Sequence, residues 1–250
     1  MDNNQIPENV AKLMVQAVQS AVGDDILEDI TINRLPTKNS VPSRIWDFIN
    51  RNLMDSLQTQ DCSVCRASRG PWEMLVVFEK NTQYIVTFMR EKRFSELVKS
   101  QNKRNKMHYL DMLTKYFNRN LSSPYHQLSI FPHFFSDEDR LDEQIQLLLR
   151  GLRGDSEIIR NHILVLFDTV GFDLTSVRMV MLTPSLEVAI EENWDTYIVR
   201  NESLIVETVA EIDSPSNKPN RGLKLKGRAI ERQKNKPKRK KNIDEKTNNA

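Results

Sequence analysis

The chain has 250 residues, with 36 Lys and Arg against 34 Asp and Glu, 39% hydrophobic residues and only seven glycines. That length can hold a core without disulfide or metal staples; its longest apolar runs, 74–78 and 163–167, fall far short of the ~20 residues that cross a bilayer, and no N-terminal signal-peptide anatomy is visible, so a cytoplasmic protein with no membrane partner is expected. The net charge of +2 conceals an asymmetry: residues 218–250 hold thirteen basic and three acidic side chains, a net of +10, which leaves residues 1–217 at −8.

Val10, Leu13, Met14, Ala17, Val18 and Ala21 recur at three- and four-residue intervals and predict an amphipathic helix over 7–22, ended by Gly23-Asp24-Asp25. A polar stretch containing Pro36 and Pro42 follows, and Ser43 can cap a second helix reaching about residue 57. Residues 63–68, 73–79 and 83–90 are rich in Val, Ile, Tyr, Phe and Thr and read as strands; the polar connection Lys80-Asn81-Thr82 has hairpin length, so an antiparallel meander is expected. Helical spacing returns at Phe94, Leu97 and Val98, then at Leu110, Leu113, Tyr116 and Phe117, with a basic stretch between them; two helices with a charged joint, or one long helix, both fit.

Pro124 and Pro132 favour extended backbone before them and break the pattern across 121–135. A helix resumes at Ser136-Asp137-Glu138-Asp139, whose acids suit the positive end of the helix dipole, and it stops near Gly151 or Gly154. Strands are predicted at 163–167 and 177–182 around Gly171-Phe172-Asp173, then at 186–190, 194–198 and 203–212. The order suits an α+β, or mixed α/β, fold with helices packed on a largely antiparallel or mixed sheet. Two parts are expected: a globular body over 1–213 and a disordered lysine-rich tail over 214–250, with a nascent helix around 225–233.

Most chemical motifs fail on spacing. Cys62 and Cys65 lie in a C-x-x-C, but their surroundings alternate as a strand, which puts the sulfurs on opposite faces or near a bend and argues against both zinc and redox use. Asp168-Thr169-Val170-Gly171 resembles a D-x-x-G nucleotide motif without any phosphate-cradling loop, so a strand-ending turn is expected. The histidines at 108, 126, 133 and 162 have no ligand spacing, and His162 reads as a capping or core residue at a strand start. No catalytic residue, metal ligand or cofactor is assigned, and an enzyme is not the favoured reading.

The helix, three-strand, helix order over 43–112 is similar to the core of restriction-endonuclease-like nucleases. That resemblance implies an acid on the second strand and E-x-K on the third. Glu79 closes the second strand, but the third reads Tyr84-Ile85-Val86-Thr87-Phe88-Met89, and Glu91 and Lys92 are adjacent, pointing to opposite faces of a strand. A related core would carry a degenerate site.

Gln127-Leu128-Ser129-Ile130-Phe131 resembles the peptide by which bacterial polymerases and repair proteins bind the DNA polymerase sliding clamp, Gln-Leu-(Ser or Asp)-Leu-Phe, with one Leu-to-Ile exchange. The resemblance implies an extended peptide with Leu128 in one apolar subsite, Ile130 and Phe131 in a deeper one, the Gln127 amide at the rim and Ser129 pointing away. Flanking prolines reduce the ordering cost. The competing expectation is that these apolar residues pin a connector to the body's own core. More widely, 84–97 and 176–197 resemble an uncharacterised family of bacterial and prophage proteins of unknown function, a likeness expected to cover the body and not the tail.

Within the tail, Lys234, Lys236, Lys238, Arg239, Lys240 and Lys241 form a run suited to DNA or RNA binding by counterion release. Without aromatic residues for stacking, such binding is expected to be non-specific and salt-sensitive. The function expected is an interaction or regulatory protein of bacterial or phage DNA replication or repair. The alternatives are a divergent or inactive nuclease-like protein of phage-defence type, and a protein-binding module with no clamp contact.

Overall fold

Among the described residues the strand-forming runs enter one sheet, whose six strands lie side by side in chain order. They are β1 (Cys62–Arg69), β2 (Trp72–Glu79), β3 (Tyr84–Arg90), β4 (Asn161–Val170), β5 (Asp173–Leu182) and β6 (Val188–Asn193). The computed structural model describes residues 5–34, 36–59, 61–69, 72–122, 135–152 and 158–200, all within one unit, Met1–Arg200. The strand expected at 203–212 and the tail from 214 onward lie outside the described residues.

Every neighbouring pair is antiparallel except β3 and β4, which run parallel from Tyr84 beside Asn161 to Arg90 beside Phe167. Two three-stranded meanders therefore meet at one parallel seam. A parallel pair needs a crossover, and α4 (Glu91–Ser100), α5 (Tyr109–Phe117) and α6 (Leu141–Leu148) lie along it, covering one face. Among the helices before the sheet, α1 (Glu8–Val22) and α3 (Val41–Leu57) carry most of the cover on the other face, with α2 (Asp24–Asn33) between them in the chain. Side chains alternate across the sheet: Tyr84, Val86 and Phe88 pack toward α1 and α3, Ile85 and Met89 toward α5 and α6. Burial on both faces is why β4 reads as an unbroken apolar run from Ile163 to Phe167. The class is α+β, as the order of elements predicts, and among the described residues no helix is long and apolar enough to cross a membrane.

The structure departs from the sequence expectation at several places; Ser43 does not cap the second helix, since α3 starts at Val41 and Ser43 lies in its first turn. Gly23 ends α1 as expected, but no loop follows: the chain turns there into α2, where Asp24 and Asp25 occupy the first turn and suit its dipole. Ion pairs then fix α2 to α3, Arg44 with Asp29 (2.5 Å) and Arg51 with Asp25 (2.9 Å). Residues 194–198 form no strand: Trp194 is fully buried and donates its backbone N–H to Val177 O (2.9 Å), and a 3-10 turn, Asp195–Tyr197, follows. The preceding strand is β6, displaced toward the C-terminus from the predicted 186–190. Of the two forms expected for 94–117, the observed one is two helices with a joint, α5 being started by a capping box between His108 and Asp111. Beyond the 3-10 turn, Val199 is clasped by Gln19 of α1, whose Nε2 donates to Val199 O (2.6 Å) and whose Oε1 accepts from Val199 N (3.0 Å).

Candidate functional site

The peptide Gln127 to Phe131 and the basic run Lys234 to Lys241 lie outside the described residues, as do His126 and His133. The flanks of the peptide are described. Upstream, Asn118 is fully buried just past α5; its Nδ2 donates to His162 O (2.8 Å) and Leu182 O (2.9 Å), while its Oδ1 accepts from His162 N (2.8 Å). This one amide sews the end of α5 to the start of β4 and the end of β5. Leu121 packs against the core on the α1 and α3 side. Downstream, Phe135 is buried in the other core cluster, and Ser136 N–H donates to Asn105 O (2.9 Å). Both ends of the connection are thus fixed to the body.

The acids that a nuclease-like reading would recruit are occupied by the fold. Glu79 is fully buried and closes the β2–β3 turn, accepting from Asn81 N (3.1 Å), Asn81 Nδ2 (2.9 Å), Thr82 N (2.7 Å) and Thr82 Oγ1 (2.5 Å). Glu91 and Lys92 are not strand residues, contrary to the alternation argument; they open α4, and Glu91 takes Arg178 of β5 in a two-pronged pair at 2.6 and 3.1 Å. Arg178 also reaches Glu191 of β6 (3.0 Å), so the three groups tie α4 to the far meander. On β3, Thr87 Oγ1 lies 2.8 Å from His162 Nε2, and burial pushes the His162 pKa down to about 3. The imidazole is a neutral core group, as expected for it. Asp168 lies at a bulge in β4 ahead of Gly171, whose positive φ of 62° makes the turn. Cys62 and Cys65 fall in opposite core clusters, and burial pushes both thiols up to about 11. Among the described residues no group of three or more His, Cys, Asp or Glu side chains is placed to hold a metal ion.

A recess does open on the α3 face. β1 pairs with β2 along all eight residues, whereas β2 pairs with β3 only from Val77 to Glu79. The first half of β2 therefore leaves the third strand, and the Leu75 N–H donates to Asn50 Oδ1 of α3 (3.3 Å). The result is a cleft of about 570 Å3, with Trp46, Asp47, Met54 and Asp55 of α3 on one wall and Arg66, Trp72, Glu73 and Met74 of the β1–β2 hairpin on the other. Trp72 leaves 65% of its surface exposed. Sequence reading marks Trp72 only as the residue before a strand; the separation of β2 from β3, which makes the cleft, has no local signature in either strand.

Searches of curated proteins and of solved structures return no significant match to this chain. A family model matches residues 3–243, so the expectation that the likeness stops short of the tail is corrected: the match runs through Lys234 to Lys241. The chain belongs to a family of unknown function, DUF5986.

Proposed function

We propose that this protein is an interaction protein of bacterial or phage DNA replication or repair, tethered to the sliding clamp by Gln127, Leu128, Ser129, Ile130 and Phe131 and held near DNA or RNA by its basic tail. The observation that carries this is the place of the motif in the chain. It falls in the connection between α5 and α6, whose two ends are anchored by Asn118 and Leu121 on one side and Phe135 on the other. A peptide inserted between fixed points engages a foreign pocket without unfolding its carrier. Burial of Leu128, Ile130 and Phe131 supplies several kcal/mol, enough for about micromolar affinity after ordering costs. The inclusion of the basic run in the family match supports a role for the tail alongside the body. Retention of the full chain on immobilised clamp, compared with Leu128→Ala and Phe131→Ala, is the test; equal retention of all three ends the proposal.

The strand arrangement favours one further reading, a nuclease-like body without cleavage chemistry. A helix, a three-strand meander, a helix and then a strand parallel to the third are all present, in that order. Its acid positions serve the turn at Glu79 and the ion pair at Glu91. Incubation with linear and circular DNA in Mg2+ and in Mn2+ should leave both intact; cleavage that disappears with Glu91→Gln would instead make this an active nuclease.

A further inference from the structure

Helix α3 divides its charges between two neighbours. Arg44 and Arg51 turn to Asp29 and Asp25 of α2, whereas Asp47 and Asp55, about a quarter-turn apart around the helix, both line the cleft and have no ion pair among the described residues. Across from them the Trp72 indole stands 65% exposed, and the thioethers of Met54 and Met74 contribute soft apolar surface. Arg51 also lines the cleft, but its guanidinium is held by Asp25 (2.9 Å), and Arg66 and Glu73 approach each other only to 4.0 Å and offset one another. An exposed indole, apolar walls and two unpaired carboxylates are together the complement of a cation on an aliphatic stem.

We propose that this cleft docks a basic peptide segment of a partner protein, seating an arginine or lysine side chain between the face of Trp72 and the carboxylates of Asp47 and Asp55. The stem lies on Met54 and Met74, and the charge stands over the indole with the carboxylates beside it. The net charge of −8 on residues 1–217 draws cationic peptides toward this surface and repels the phosphate backbone of nucleic acids. The occupant is therefore a peptide and not a polynucleotide. The cleft lies on the face covered by α1 and α3, and its use is independent of clamp binding.

Titration of the full chain with a capped peptide of alternating Arg and Ser, and with its Glu counterpart, tests this by calorimetry and indole fluorescence. The arginine peptide should bind saturably at one site, weaken with added salt, and lose about ten-fold in affinity with Trp72→Ala and with the double change Asp47→Asn, Asp55→Asn; the glutamate peptide should not bind. Trp72→Phe, which keeps an aromatic face, should retain most of the affinity and guards against a variant that misfolds. Absence of saturable binding, or variants within about two-fold of the native chain, would overturn the assignment, because a basic peptide would then be meeting the acidic surface at large.

Discussion

Changing Glu79 to Ala separates a structural carboxylate from a catalytic one by the sign of its effect. The side chain is fully buried and accepts two bonds from Asn81 and two from Thr82. Asn81 is exposed, so its donors pass to water when the carboxylate is removed; Thr82 is 3% exposed, and its N–H and hydroxyl are left buried. Each buried donor without an acceptor costs about 1–3 kcal/mol, more toward a charged partner, so Glu79→Ala should lose about 3–5 kcal/mol in urea unfolding followed by circular dichroism. Glu79→Gln, which keeps one acceptor oxygen and turns an amide toward the other donors, should lose about half of that. A catalytic carboxylate is commonly held at a cost to stability, so its removal leaves the fold unchanged or firmer. A loss under about 1 kcal/mol would refute the structural role.

Burial holds His162 neutral, with a pKa near 3, against about 6.5 in an unfolded chain; protons then favour the unfolded state below that pH, and the residue's contribution is complete above about 6.5 and lost as pH falls toward 3. Between pH 7.5 and 5 this one group should remove about 2 kcal/mol of unfolding free energy, and His162→Gln should flatten the slope by that amount; an identical slope would exclude the histidine as its source. Cys62 and Cys65, both buried with thiols raised to about 11, should react with a thiol reagent only at the rate of unfolding and should form no disulfide with each other; prompt labelling of the native chain would count against the strand placement. At Gly151, within the 3-10 turn Arg150–Leu152 that packs on β1, an added Cβ would stand 2.9 Å from Cys65 Cβ and 3.5 Å from Arg66 O, so Gly151→Ala should cost about 1–3 kcal/mol by forcing that turn off β1, read as a fall in Tm; an unchanged Tm would mean that the turn yields freely.

The elements legible in the sequence are those whose burial repeats at a helical or strand period. Helix α1 shows its stripe because one side faces the sheet, and β1, β2 and β3 stand within a residue or two of the predicted bounds because their side chains alternate between two cores. Helix α2 was hidden by its context: Ile26 is its one buried residue, and ion pairs to α3 hold it in place of an apolar stripe. Residues 194–198 mimic a strand in composition, but Trp194 is drawn inward, its backbone N–H bonded to Val177 O, and burial of an indole outweighs local propensity. The opposite faces of Cys62 and Cys65 were readable from alternation alone. The roles of Glu79 and Asn118 were not, since each depends on partners brought together by the turn or by the crossover. The cleft was illegible for the same reason, being walled by α3 and the β1–β2 hairpin, which are brought together only by the fold.

The clasp of Gln19 on Val199 gives the end of the body a mechanical property. A side-chain amide there imitates the neighbour a strand would have, gripping one residue through both its carbonyl and its N–H. A pull applied beyond residue 200 is resisted first by two hydrogen bonds loaded together against a fifteen-residue helix, as a rope is cleated before it reaches the sail. Strand β6, the last among the described residues, which would otherwise peel one bond at a time, is spared.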